Sequence, residues 1–123
     1  MISPGEIAVR CATGVLGERT NYKDMSRARN RLDGADETVI TGAGVRVRVV
    51  AYDAGGGEAT VSVGDREVGR LSWTRWRDAD RLGAVVPADG NAVAPDQLDA
   101  YELAVRITCQ IAAGLTRVCE ARP

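Results

Sequence analysis

The chain contains no histidine and no phenylalanine, a single lysine, Lys23, and only five aromatic residues in 123. Histidine is the usual general base near neutral pH and the commonest metal ligand, so its absence excludes Ser-His-Asp triads, Cys-His dyads and His-bearing zinc sites. With aromatics at 4%, a deep pocket lined by rings for a flat ligand is not expected, and the core must be built from Val, Leu, Ile and Ala. The formal charge of -1 gives no global attraction to nucleic acid or to an anionic membrane. The beginning, Met-Ile-Ser-Pro-Gly-Glu, lacks a basic stretch followed by an apolar run, so no secretory signal is read and a cytoplasmic protein is expected.

What is present is ordinary for a soluble globule: 45% hydrophobic and 27% charged residues in a length suited to one domain spanning residues 1–123, without an internal repeat or a linker. Cys11, Cys109 and Cys119 are odd in number and lack metal-ligand spacing. The last two, on one helix, would be about 15 Å apart along its axis and could not form a disulfide. All three are read as small core side chains.

Ser3-Pro4-Gly5-Glu6 predicts a helix start, with Ser as cap and Pro in the first turn, and residues 4–16 place Ile7, Ala8, Cys11, Ala12, Val15 and Leu16 on one stripe. A second helix is predicted from residue 20 or 21 to the Asp33-Gly34 stop, with Met25, Ala28 and Leu32 inward and Lys23, Arg27 and Arg31 along an outer edge. The period then changes to two. Segments 38–41, 45–52, 58–63 and 67–73 predict a four-stranded antiparallel meander, with either register of its last turn setting Val68 opposite Val61 or Val63. A short helix over 72–82 and a brief extended piece at 84–86 follow, then a loop over 87–94. Residues 95–120 predict a long helix, in which Asp99, Glu102, Arg106, Gln110, Ala113, Arg117 and Glu120 form one thin polar stripe and Glu102 pairs with Arg106. Its charges argue against a membrane span. The fold class is thus α+β, with two N-terminal helices, a four-stranded meander, a short helix and a long C-terminal core helix.

The motifs with a chemical reading do not hold up. Gly42-x-Gly44 and Gly55-Gly56-Gly57 are each followed by a strand, whereas a phosphate loop leads into a helix. Asp78-Ala79-Asp80 is a carboxylate spacing that 17 acidic residues in 123 generate by chance, so no metal is expected, and no cofactor either. Cys11 has no histidine to activate it and lies on an apolar stripe. A catalytic role is therefore not expected, unless a partner subunit completes a site.

Two groups point to binding instead. Alternation in the meander puts Arg46, Arg48, Val50 and Tyr52 beside Thr60, Ser62, Leu71 and Trp73 on the second sheet face, a mixture of Arg, aromatic and aliphatic side chains suited to a protein interface. Lys23, Arg27, Arg29 and Arg31, with Arg75, Arg77 and Arg81 near Trp73 and Trp76, combine guanidinium and indole groups as a single-stranded nucleic-acid groove does, although Asp24, Asp33, Asp78 and Asp80 interrupt them. The expected function is a non-catalytic protein-binding or self-assembly module, of a kind that small bacterial or phage accessory, structural or inhibitor proteins use. Its expected partner-binding residues are Arg46, Arg48, Tyr52, Leu71 and Trp73. The alternative is a nucleic-acid-binding accessory protein using Lys23, Arg27, Arg31, Arg75 and Arg77.

Overall fold

A computed structural model describes residues 3–73 and 95–120. Helix α1 (Pro4–Gly17) begins as its sequence dictates: the Ser3 hydroxyl accepts a hydrogen bond from the Glu6 amide at 3.3 Å, and Pro4 occupies the first turn, where a missing N–H costs nothing. The expected stripe is buried at Ala8, Ala12, Val15 and Leu16, and it is widened by Val9.

The predicted second helix is absent. A single 3-10 turn (Tyr22–Asp24) leads instead into strand β1 (Ser26–Leu32), which pairs antiparallel with β2 (Ala35–Gly42) from Ser26↔Thr41 to Leu32↔Ala35. Asp33-Gly34 is the hairpin turn, with Gly34 at φ 76°, rather than a helix stop. A helix here would have buried three apolar side chains, Met25, Ala28 and Leu32. The hairpin instead pairs the backbone of seven residues and keeps Arg27, Arg29 and Arg31 in solvent, on an edge strand exposed along its whole length.

Strands β3 (Val45–Tyr52), β4 (Gly57–Val63) and β5 (Arg66–Trp73) complete a five-stranded antiparallel sheet in the order β1-β2-β3-β4-β5, one strand more than expected. Ala43 and Gly44, at φ 51° and 81°, join β2 to β3 with the two positive-φ residues of a type I′ turn, whose twist matches that of the strands.

The last hairpin turns at Gly64-Asp65 but contains a bulge. Val61 lies opposite Gly69 and Ser62 opposite Glu67, so Val68 is the extra residue, buried but opposite neither valine. Gly69 is required here: a β-carbon on it would fall 2.4 Å from Thr108 Cγ2.

After a 3-10 turn (Pro95–Gln97), helix α2 (Leu98–Glu120) runs within the predicted 95–120 span. Both helices pack on the same face of the sheet and on each other. Between them and the strands lies one core, with Ala8, Ala12 and Leu16 from α1, Leu103, Ala104, Ile107, Ile111 and Leu115 from α2, and Ile40, Val45, Val47, Val49, Val61, Leu71 and Trp73 from the sheet.

The surface of α2 is broader than its polar residues implied. Leu98, Cys109 and Thr116 are exposed beside Asp99, Glu102, Arg106, Gln110, Ala113 and Arg117, so Cys109 is not a core side chain, and Cys11 is only half buried. Arg106 pairs with Glu18 of the α1 C-cap rather than with Glu102. Thr108 is fully buried and donates its hydroxyl to the Ala104 carbonyl at 2.8 Å, which is how a polar side chain is accommodated in this core. The expected short helix over 72–82, apart from its first two residues in β5, and the segments 84–86 and 87–94 lie outside the described residues, as do Trp76, Asp78 and Asp80.

Candidate protein-binding face

The sheet face opposite the helices is built by side chains that the register places in rows. One row is Asn30, Glu37, Val50, Glu58 and Ser72; the next is Ala28, Val39, Arg48, Thr60 and Arg70; a third is Ser26, Thr41, Arg46, Ser62 and Glu67. Arg48 is tied to Glu37 through its Nε, and its Nη1 lies 3.9 Å from Glu58. Glu37 also accepts a hydrogen bond from Asn30 Nδ2 at 3.0 Å. Hydrogen bonds from Arg48 and Asn30 hold the Glu37 carboxyl below its ordinary range, because they favour the ionised form. Arg70 and Glu67 form a further pair at 2.8 Å. Three arginines, 46, 48 and 70, thus face three glutamates, 37, 58 and 67, and the face is electrically balanced.

At one end of this face, Leu32, Ala35 and Tyr52 form a fourth row across β1, β2 and β3. Leu32 and Tyr52 are 36% and 47% exposed, two of the three large hydrophobic side chains exposed among the described residues, and Ala35 between them is 4% exposed. The corner is braced below by Arg31, which pairs with Asp36 at 3.2 Å and with Asp53, and by a backbone hydrogen bond from the Asp53 amide to the Gly34 carbonyl. The Asp53 carboxyl is held below its ordinary range by Arg31.

Of the residues expected to form the interface, Arg46, Arg48 and Tyr52 are together on this face, while Leu71 and Trp73 are on the other. The bulge is the reason. Straight alternation from the Gly64-Asp65 turn would put Leu71 and Trp73 beside Glu58 and Thr60; the extra residue at Val68 reverses the parity of β5 beyond it, and both become core. Trp73 then lies over Gly57, where a β-carbon would fall 2.6 Å from its ring.

Sequence reading left out Leu32, assigned to a helix stripe, and the arginine partners Glu37 and Glu58. The Asp-Gly dipeptide at 33–34, a strong hairpin signal, would have placed Leu32 opposite Ala35, and so in the row that ends at Tyr52.

The basic group is also rearranged. Lys23 is exposed in the 3-10 turn, whereas Arg27 and Arg31 stand with Arg29 on the helix side of β1, and Arg75, Arg77 and Arg81 lie outside the described residues. Arg31 is committed to two carboxylates, and the described part of the group contains no indole apart from the buried Trp73. Among the described residues there is no cluster of three carboxylate or thiol groups able to hold a metal, and no helix is long and apolar enough to cross a membrane.

Compared with protein-family models, curated proteins and solved structures, the chain matches none.

Proposed function

We propose that the protein is a non-catalytic binding module that associates with a second copy of itself through the sheet face bearing Arg46, Arg48 and Tyr52. The observation that carries this reading is the row Leu32–Ala35–Tyr52, an apolar corner with an aromatic anchor on a face that no described helix covers. The balance of three arginines against three glutamates supports a copy of the same face as the partner, because a two-fold interface must be complementary to itself. Helix α2, with its wide exposed stripe, adds no argument for association. A cytoplasmic setting suits Cys11 and Cys109, which stand as free thiols.

Sedimentation or light scattering at micromolar concentration tests this reading. A dimer is expected, and Tyr52→Ala should weaken it by about 2 kcal/mol, roughly thirtyfold in Kd, as loss of a buried aromatic anchor does. A strict monomer, or a dimer indifferent to Tyr52→Ala, would remove this face from consideration.

A further inference from the structure

Strand β1 is one of the two edges of the sheet, and among the described residues no strand pairs with its outer side. An edge strand turns the N–H and C=O groups of alternate residues away from its one neighbour, which leaves a row of main-chain partners for another extended segment. On the helix side of this edge Arg27, Arg29 and Arg31 stand in line, about 6.8 Å from one to the next. Arg31 is held by Asp36 and Asp53, but Arg27 and Arg29 make no ion pair among the described residues.

These two guanidinium groups border open space. Helix α1 packs on β2, β3 and β4, and between it and β1 runs a groove of two lobes, about 330 and 750 Å³, that share Arg27, Glu6 and Val9. Thr38, Val49 and Ala51 line the smaller lobe with Arg29. The acidic members of the groove have partners other than Arg27 and Arg29: Asp36 pairs with Arg31, Glu18 with Arg106, and Glu6 lies 3.8 Å from Arg10, which also lines the larger lobe.

We infer that β1 accepts an extended acidic peptide as a sixth strand, whose carboxylates at alternate positions pair with Arg27 and Arg29. A second copy of β1 does not fit, because two-fold antiparallel pairing keeps equivalent faces on one side and would set arginine opposite arginine. Single-stranded nucleic acid is disfavoured because no described side chain lining the groove is aromatic, and such ligands stack on rings. An acidic strand satisfies both the exposed main-chain groups and the two arginines. This surface is distinct from the Tyr52 face, and the two can be tested apart.

The test uses the full chain and a short labelled peptide that alternates glutamate with threonine and valine, followed by fluorescence anisotropy at low salt. Binding is expected, with a loss of about tenfold when the same residues are rearranged so that the glutamates are contiguous, and a similar loss when alternate peptide amides are methylated. Arg27→Glu combined with Arg29→Glu should lower affinity by about tenfold or more, and the milder pair Arg27→Gln and Arg29→Gln by less, with circular dichroism confirming that each folds. Tyr52→Ala should leave peptide binding unchanged while weakening self-association. Equal affinity for the alternating and contiguous peptides, indifference to the Arg27 and Arg29 variants, or preference for an oligothymidylate over both peptides would overturn the inference.

Discussion

The two faces of the sheet come from the same strands and differ by one residue of phase. In β3, Val45, Val47 and Val49 face the helices and are buried, while Arg46, Arg48 and Tyr52 face away. The helix side is held by burial, at about 25 cal/mol per Å² of apolar surface removed from water, and tolerates little change in shape. The other side carries cross-strand pairs such as the partly buried Arg48 with Glu37, and no described helix covers it. Alternation therefore gives one strand two surfaces: one buried against the helices and one, bearing Arg46, Arg48 and Tyr52, that no described helix covers. A bulge can transfer residues from one face to the other, as it does for Leu71 and Trp73.

The largest effect should come from breaking the helix side. Trp73→Ala, which empties the space over Gly57, should cost about 3–5 kcal/mol in denaturant unfolding, and any association would fail only because folding does. Tyr52→Ala, one face away, should change the stability of the unassociated chain by about 1 kcal/mol or less. If Trp73→Ala cost no more than Tyr52→Ala, the assignment of the two faces would be wrong.

A smaller effect sharpens the electrostatic side of the comparison. Glu37 and Asp53 have carboxyl groups whose folded values are depressed, by Arg48 and Asn30 in one case and by Arg31 in the other. Their contribution is fully present above the ordinary carboxylate range, near pH 4, and is lost as pH falls through the lower folded values. Thermal melts from about pH 5 down to pH 2 should show stability declining, and Glu37→Gln should make the decline shallower. An unchanged acid limb in that variant would show that the Arg48–Glu37 link contributes nothing.

The smallest effect concerns thiol reactivity. Burial pushes the Cys11 thiol up, partly opposed by Arg117, and Gly114 of α2 approaches it so closely that a β-carbon there would lie 3.0 Å from its sulfur. Cys109 is exposed. Iodoacetamide at neutral pH, followed by peptide mapping, should modify Cys109 before Cys11, because Cys11 is less exposed and burial favours its protonated thiol. Faster reaction at Cys11 would contradict the packing of α1 on α2.

Local chemistry was legible wherever one signal acted alone. Ser3-Pro4 marks the start of α1, Val45, Val47 and Val49 of β3 alternate with Arg46 and Arg48, and the apolar run of α2 admits no other element of that length. Where two signals competed, the sequence misled. The arginines at 27, 29 and 31 fit a strand, while Lys23, Arg27 and Arg31 fit a helix, and Asp33-Gly34 suits either a turn or a stop. The candidate face was legible in β3 for the same reason that β3 was, and illegible in β1 and β5, where its membership depended on pairing.

The α+β class, both long helices and the helix-facing valines of β3 and β4 follow from local signals along the chain, because capping and periodicity act over a few neighbouring residues. Long-range packing made residues 26–32 a strand, since an exposed edge is stabilised by main-chain pairing with a neighbour and carries no apolar pattern of its own. It alone decided that Leu71 and Trp73 belong to the core, because Thr108 presses on Gly69 beside a bulge that reverses the phase of β5, and no local signal in β5 records where a distant helix will rest.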